Sequence, residues 1–272
     1  MRLYSKNHLV LIILSLLLYS CSQQDDADTI PIEKQKTTIE NSQAGVVLTF
    51  DDDYVDEWYN VNSVLKPYDW QATFFVTKFH QLSTDKIQKL KTLKSQGHEI
   101  AAHGLNHLNA PNYVAANGMT SYLENEIYPL VNSMKENDLT PTSFAYPYGA
   151  RDVNTDFTLL KEFKIIRGTT YGQQSPAYHI CFYDNNPLVF GLGLDSSYPH
   201  FSVPYFISLL EYAKQNNRIV IFYSHKTVPT STANYETEYQ TLIDICKYVK
   251  TKHMKFYKIS ELYQLKNNYI HS

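Results

Sequence analysis

Short apolar segments alternate with amphipathic helical segments along most of this chain. The predicted strands are the apolar runs at residues 46–50, 72–76, 99–102, 142–146, 165–168, 218–224 and 255–259. Strands that alternate with helices form parallel sheets with helices on their faces. No Pro-, Gly- or Ser-rich stretch divides residues 45–272. The pattern therefore predicts a single α/β domain whose parallel sheet is closed, or nearly closed, into a barrel.

Helical periodicity marks the connections between these strands. Predicted helices cover residues 56–65, 122–135, 155–163, 203–215 and 236–251. Another helix is predicted to begin at Ser83 or Thr84 and to end at Gly97. Residues 110–118 and 172–186 are rich in Tyr, Asn and Pro, so we expect them to form loops that shape a cleft.

The charge of the chain excludes one class of partner. There are 24 Lys and Arg against 27 Asp and Glu, the net charge is −3, and no long basic run occurs. Proteins that follow nucleic-acid phosphates need such basic surfaces, so we expect no nucleic-acid partner. The 23 tyrosines fit contact with sugars, although buried rings and strand positions explain tyrosines equally well.

The N-terminus has the features of a secretory signal. Arg2 and Lys6 precede the apolar run at residues 9–19, which is shorter than the roughly 20 residues of a bilayer span. Ser20 and Cys21 resemble a bacterial lipobox, in which the cysteine is acylated and becomes the mature N-terminus. We expect a lipoprotein signal peptide at 1–20, a flexible polar tether at 21–44 and the folded domain at 45–272. The alternative is an ordinary signal peptide with an incidental cysteine.

This interpretation places the protein in a bacterial cell envelope. It would be exported and anchored to a membrane through lipidated Cys21, facing the periplasm or the outer surface. Disulfides form in such compartments. A bond between Cys181 and Cys246 and two buried free thiols both remain open from the sequence.

Four polar clusters follow predicted strands, where parallel barrels collect their chemistry. They are residues 51–53, 103–107, 146–149 and 224–225. Two histidines four residues apart and a carboxylate from a neighbouring strand end can bind a divalent metal that keeps an open position for water. A second Asp of the first cluster would then act as general base, and His225 would protonate the leaving group.

Each cluster has a simpler explanation when taken alone. A His-x-x-x-His spacing is often a surface coincidence, and consecutive Asp residues can cap a helix or make a turn. Tyr-Pro-Tyr-Gly is also a turn sequence, and His225 alone is compatible with a loop histidine. The combination favours a site, because a parallel sheet brings these strand ends to one rim.

The four clusters resemble motifs of the polysaccharide deacetylase family, which includes the NodB-homology domain and carbohydrate esterase family 4. Residues 49–52 (Thr-Phe-Asp-Asp) resemble its first motif and residues 103–107 its His-x-x-x-His motif. Residues 146–149 (Tyr-Pro-Tyr-Gly) resemble the end of the third motif and residues 223–225 (Tyr-Ser-His) the last. Order and spacing agree over residues 45–262. The resemblance implies a distorted (β/α) barrel of about seven parallel strands.

The resemblance also implies a role for each residue. Asp51 would be the general base, His225 the general acid, and Asp195 would orient His225. The backbone N–H of Tyr148 would stabilise the tetrahedral oxyanion. The divalent metal, usually Zn²⁺ in this family, would be bound by Asp52, His103 and His107. The implied reaction is hydrolysis of acetyl amides or esters of a polysaccharide or oligosaccharide by metal-activated water.

Three positions depart from the family pattern. Asp53 stands where the family often has Gly, and its charge would raise the proton affinity of the neighbouring base. Gly104 replaces a Ser or Thr and removes one hydrogen bond of the loop. Ala145 stands where an Arg commonly holds the base Asp, and Arg151 or Arg167 would have to take its place.

Three functions therefore compete. The first is a membrane-anchored, metal-dependent deacetylase of an N- or O-acetylated polysaccharide. The second is a catalytically impaired, deacetylase-like lipoprotein that binds glycans through its tyrosines. The third is a hydrolase of another non-peptide C–N bond, which a closed pocket too small for a glycan would favour.

Overall fold

Short parallel strands form the centre of the structure, a computed structural model that describes residues 43–267. The predicted signal peptide and most of the predicted tether, including Cys21, lie outside the described residues. The strands are β1 Gly45–Asp52, β2 Thr73–Val76, β3 Glu99–Ala102, β4 Ser143–Ala145, β5 Ile165–Thr170, β6 Leu188–Gly193, β7 Ile219–Ser224, β8 Lys226–Val228, β9 Glu236–Glu238 and β10 Lys255–Tyr257.

Strands β1 to β7 follow one another around a ring in chain order, and β7 pairs back onto β1. Every pairing in the ring is parallel. The ring is most weakly joined between β3 and β4, where a single residue pair, Ala102 and Phe144, is in register. Strand β10 lies outside the ring and pairs with the first residues of β1. The predicted (β/α) barrel of about seven parallel strands is confirmed.

Helices connect the strands on the outside of the barrel. They are α1 Val55–Leu65, α2 Thr84–Ser95, α3 Ala110–Asn117, α4 Met119–Tyr122, α5 Tyr128–Glu136, α6 Val153–Glu162, α7 Val203–Gln215, α8 Tyr239–Thr251 and α9 Ile259–Asn267. A π-helical turn, Leu123–Ile127, joins α4 to α5, and a 3-10 turn, Pro147–Gly149, follows β4. Within residues 43–267 no helix combines the length and the apolar character that crossing a bilayer requires.

Alternation along the strands builds two apolar layers, because successive side chains point to opposite faces of a sheet. In β1, Val47 belongs to the cluster inside the barrel, whereas Val46 and Leu48 pack outward against the helices. The inner cluster also contains Phe75, Ala101, Ala145, Ile165, Ile219 and Ile221. The same alternation turns later residues of these strands inward at the carboxyl end, namely Asp51, Arg167 and Tyr223.

Strand β6 was not predicted from the sequence, and its glycines explain why. The segment Leu-Val-Phe-Gly-Leu-Gly has weak strand propensity because glycine has no side chain to pack. A Cβ on Gly191 would lie 3.3 Å from the Tyr223 ring and 3.4 Å from Cδ of Arg167. The glycine that weakens the strand signal therefore makes room for side chains at the end of the barrel.

Three further expectations were wrong. Residues 110–117 form helix α3 rather than a loop, with Pro111 in its first turn and Asn109 as the N-cap. The helix predicted at 122–135 is interrupted by the π turn. Neither residues 110–118 nor residues 172–186 line the cleft at the carboxyl end of the barrel, where they were expected to contribute. Cys181 and Cys246 are buried free thiols, so the disulfide alternative is wrong.

Candidate active site

A cleft of about 330 Å³ opens at the carboxyl end of the barrel. Strand ends β1, β3, β4 and β7 place the four predicted clusters there, because all strands of the ring run in the same direction. The cleft brings together six of the predicted site residues: Asp51, Asp52, His103, His107, Tyr148 and His225.

Three of these residues form a cluster with the composition of a metal site. Oδ1 of Asp52 lies 3.1 Å from Nε2 of His107 and 3.6 Å from Nε2 of His103. The three candidate ligand atoms all lie within 4.8 Å of one another. Nδ1 of His103 is 2.9 Å from the carbonyl oxygen of Ala145, which fixes the ring so that Nε2 points into the cluster.

The environment of Asp52 fits a shared cation. Oδ1 of Asp52 is buried and makes no hydrogen bond of good geometry, although two imidazole nitrogens are near it. Burial disfavours ionisation of this carboxyl, but the adjacent His103 and His107 outweigh burial and hold its pKa well below the usual range. An ionised oxygen and two imidazole nitrogens are a ligand set that divalent zinc accepts. The residues present therefore fit a divalent metal.

Asp51 is paired with Arg167 inside the barrel. Nη2 of Arg167 donates a hydrogen bond to Oδ2 of Asp51, and both side chains are almost fully buried. The guanidinium carbon lies 5.3 Å from the ring centroid of Phe75 and 5.1 Å from that of Tyr223. Oδ1 of Asp51 is buried, and no residue in the described part of the chain donates a hydrogen bond to it. Arg167 thus orients one oxygen of Asp51 and leaves the other free.

The register of the sheet explains how Arg167 reaches a position left open by Ala145. Ala145 on β4 and Arg167 on β5 are direct neighbours across the two strands. Side chains at paired positions of neighbouring strands point to the same face of the sheet, so an arginine at position 167 points into the barrel as one at position 145 would. Arg151, the other sequence candidate, instead forms an ion pair with Asp156.

His225 is held by a buried carboxylate. Nδ1 of His225 is 2.5 Å from Oδ2 of Asp195, and the backbone N–H of His225 donates to Oδ1 at 3.2 Å. Oγ1 of Thr237 also donates to Asp195, at 2.8 Å. Burial disfavours the protonated ring of His225, but the hydrogen bond and charge of Asp195 outweigh it and raise the pKa of His225. The ring can therefore carry a proton above the usual pH range of histidine.

Tyr148 lies in a strained turn at the mouth of the cleft. Its φ is 61°, its side chain is 66% exposed, and its ring centroid is 4.5 Å from that of His107. Gly149 has φ 64°, and a Cβ there would lie 2.0 Å from Oγ1 of Thr169. The turn therefore favours glycine at position 149, and this glycine determines where Tyr148 lies.

Tyrosine rings surround the cleft. Tyr148, Tyr171 and Tyr235 are each more than half exposed. Tyr198 is more buried, and its hydroxyl accepts a hydrogen bond from Tyr223 at 3.0 Å. Within residues 43–267, no Lys or Arg lines the cleft. Exposed phenol rings offer both an apolar face and a hydroxyl to a neutral ligand.

Some contacts of the site had no signal in the sequence. Nε1 of Trp58 on α1 donates to the carbonyl of His225 at 2.9 Å, and Thr237 on β9 supports Asp195. These partners are far apart along the chain, so spacing could not reveal them. Asp53, which departs from the family pattern, is not among the residues that line the cleft.

Comparison with solved structures gives the same fold in several glycan-modifying proteins. The Xyl-CE4 domain of a xylanase from the hindgut metagenome of Trinervitermes trinervoides is 19% identical, with TM-score 0.55, covering 83% of this chain and 92% of that chain. The chitin deacetylase of Colletotrichum lindemuthianum is 18% identical, with TM-score 0.53, covering 82% and 88%. The catalytic domain of a peptidoglycan N-acetylglucosamine deacetylase from Eubacterium rectale is 15% identical, with TM-score 0.51, covering 80% and 89%.

The sequence itself carries the family signature. Comparison with curated proteins gives no significant match. The family model described as polysaccharide deacetylase matches residues 38–164, a segment that contains β1 to β4 and the clusters at 51–53, 103–107 and 146–149. The expected resemblance is confirmed over this segment: residues 38–164 match the polysaccharide deacetylases, a family of hydrolases that act on carbon–nitrogen bonds other than peptide bonds.

Proposed function

We propose that this protein is a divalent-metal-dependent hydrolase that removes acetyl groups from an N- or O-acetylated polysaccharide. The observation that carries the proposal is the convergence, on one cleft, of the Asp52–His103–His107 cluster with Asp51 and His225. Zn²⁺ is the proposed metal, because zinc favours imidazole nitrogens with a carboxylate and a free coordination position. When bound, such an ion supplies a Lewis acid that polarises a carbonyl and lowers the pKa of water.

Asp51 is proposed as the general base. Arg167 occupies its Oδ2, so Oδ1, which has no hydrogen-bond partner, accepts the proton of the water that attacks the acetyl carbon. Because Arg167 is packed between two aromatic rings, the carboxylate is held in one orientation before substrate arrives. The backbone N–H of Tyr148 is proposed to donate to the oxyanion of the tetrahedral intermediate.

His225 is proposed as the general acid. Asp195 engages Nδ1, so Nε2 is the ring nitrogen that can donate a proton to the leaving sugar nitrogen or oxygen. The raised pKa of His225 favours the protonated ring that donates this proton. The products are acetate and a sugar with a free amine or hydroxyl.

The proposed substrate is a polymer of acetylated pyranoses. The exposed tyrosines at the mouth support it, because their faces can pack on sugar rings. The structurally similar proteins are named for xylanase, chitin and peptidoglycan chemistry, which gives three acetylated glycans to test first.

The experiment combines metal analysis with acetate release. The metal content of the purified protein and of His103→Ala is measured, and acetate is assayed with acetylated xylan, chitin oligomers and peptidoglycan fragments. We expect release that is lost with a chelator, restored by Zn²⁺, and abolished in Asp51→Asn. Arg151→Met, outside the cluster, is the control. Release that persists without metal and in Asp51→Asn would contradict the proposal.

We also propose that the protein is an exported lipoprotein anchored to a bacterial membrane through Cys21. The apolar run before Ser20-Cys21 supports this localisation. Metabolic labelling with an alkyne fatty acid should mark the wild-type protein and fail with Cys21→Ser, which should also leave the membrane fraction. Equal labelling of both would contradict lipidation at Cys21.

A further inference from the structure

Glu126 is a fully buried carboxyl that the proposed reaction does not use. It lies in the π turn Leu123–Ile127 between α4 and α5. A buried carboxylate is costly unless it is hydrogen-bonded. The partners of Glu126 therefore indicate what the residue does.

Among residues 43–267, every hydrogen-bond donor to the Glu126 carboxylate belongs to the loop that carries His107. Both carboxylate oxygens accept from the backbone N–H of Asn106, at 2.9 and 3.0 Å. Nδ2 of Asn106 donates to Oε2 at 3.0 Å, and the backbone N–H of Leu108 donates to Oε1 at 3.1 Å. The carboxylate thus holds the residues immediately before and after His107.

The loop needs such support, because its backbone is strained. His107 has φ 61°, in the left-handed region that is unfavourable for a residue with a Cβ. A strained position of this kind persists only where the neighbouring structure fixes it. Hydrogen bonds from Glu126 to both neighbours supply that constraint.

Gly104 and Glu126 fit each other. Gly104 has φ 79°, and a Cβ there would lie 2.5 Å from Oε1 of Glu126. A side chain at 104 would displace the carboxylate from the loop. The glycine that removes a hydroxyl from the family's loop therefore makes space for a carboxylate that binds the same loop.

The π turn explains how Glu126 reaches the loop. Pro129 lacks an N–H and cannot donate to the carbonyl of Asn125, which faces Nδ2 of Asn106 at 3.5 Å instead. The carbonyl of Glu126 accepts from the N–H of Leu105 at 3.1 Å. Such π insertions shift side chains around the helix and often occur at functional sites.

We infer that Glu126 is a positioning residue that holds His107 in the conformation required for metal binding. The inference rests on the metal dependence of the proposed function. Mutation of a residue that hydrogen-bonds to a metal ligand typically lowers metal affinity by about 10- to 100-fold. Glu126 acts through the backbone on both sides of a ligand, so we expect an effect in that range.

The test measures metal affinity rather than activity. The metal-free full-length protein is titrated with Co²⁺, following the visible absorption of the bound ion, and Zn²⁺ affinity is obtained by competition with a chromogenic chelator. Glu126→Gln keeps the size of the side chain but faces N–H donors with an amide. Glu124→Gln, at an exposed position of the same turn, is the matched control. Thermal unfolding of each metal-free variant is recorded, so that affinity is compared among folded proteins.

We expect Glu126→Gln to weaken Co²⁺ and Zn²⁺ binding by about tenfold or more and to alter the Co²⁺ spectrum, with Glu124→Gln unchanged. Asn106→Ala removes one of the four donated hydrogen bonds and should show a smaller loss in the same direction. A folded Glu126→Gln with wild-type affinity and spectrum would overturn the inference and leave the proposed function intact. If Glu126→Gln does not fold, wild-type affinity in Asn106→Ala overturns it. Absence of metal binding in the wild type would overturn the proposed function, and this inference with it.

Discussion

Removal of the Arg167 guanidinium should destabilise the fold more than removal of any exposed charge. Among the described residues, Oδ1 of Asp51 has no hydrogen-bond donor. Arg167→Met also removes the donor to Oδ2 and leaves the carboxylate buried. Breaking a buried ion pair by removing one partner costs about 3–5 kcal/mol. For a domain of this size that corresponds to a fall in melting temperature of roughly 6–20 °C. Arg151→Met is the matched control, and because this guanidinium is 26% exposed we expect a loss of about 1 kcal/mol.

The assay is urea unfolding of metal-free protein, followed by the fluorescence of the buried Trp58 and Trp70. Asp51→Asn, Arg167→Met and the double variant complete a cycle. Each single variant leaves one buried charge unpaired and the double variant leaves none, so the double should lose less stability than the two singles combined. The reasoning is refuted if the single losses add to the double within about 0.5 kcal/mol, which is the behaviour of independent sites.

Three further predictions follow from the geometry. Activity should fall as pH rises through the pKa of His225, because only the protonated ring donates; Asp195→Asn removes the group that raises this pKa and should move the basic limb of the kcat/KM profile to lower pH. An unmoved limb would contradict the acid role. Gly149→Ala should cost about 1–3 kcal/mol more in unfolding free energy than Gly172→Ala, because both have positive φ but only the first meets a side chain; equal losses would refute the packing argument. Burial raises the pKa of the Cys181 and Cys246 thiols, so neither should react with a thiol reagent before the protein unfolds. Prompt reaction of the native protein would contradict their burial.

The strand–helix order of the barrel could be predicted from the sequence because each element carries its own periodicity. The strand Glu99–Ala102 and the helix Val203–Gln215 have the predicted bounds. Strand β6 was not predicted because its glycines lower strand propensity. Gly191 leaves room for the side chains of Arg167 and Tyr223 to approach the strand. Helix α3 was not predicted because Pro and Asn are typical of loops. Pro111 in the first turn and Asn109 at the N-cap instead favour the start of a helix.

For the site, the sequence could place residues at strand ends but could not pair them. The parallel barrel was sufficient to bring Asp52, His103 and His107 together. The partner of Asp51 depended on the register between β4 and β5, which no local pattern encodes. Glu126 was missed because its side chain is aimed by a π turn, and helical periodicity contains no signal for one inserted residue.

The arginine position bears directly on the choice between a hydrolase and an impaired glycan-binding protein. The hypothesis of an impaired glycan-binding protein rests on Asp53 and on Ala145, which stands where the family pattern has the arginine that holds the base Asp. In the barrel, the positions of Ala145 and Arg167 are adjacent and both face inward, so either strand can deliver a guanidinium to Asp51. A buried ion pair contributes little net stability compared with apolar residues of the same size. Stability alone therefore does not explain why the Asp51–Arg167 pair lies above the apolar core of the barrel. The contacts of Arg167 support a different role, which is to orient the Asp51 carboxylate at the cleft.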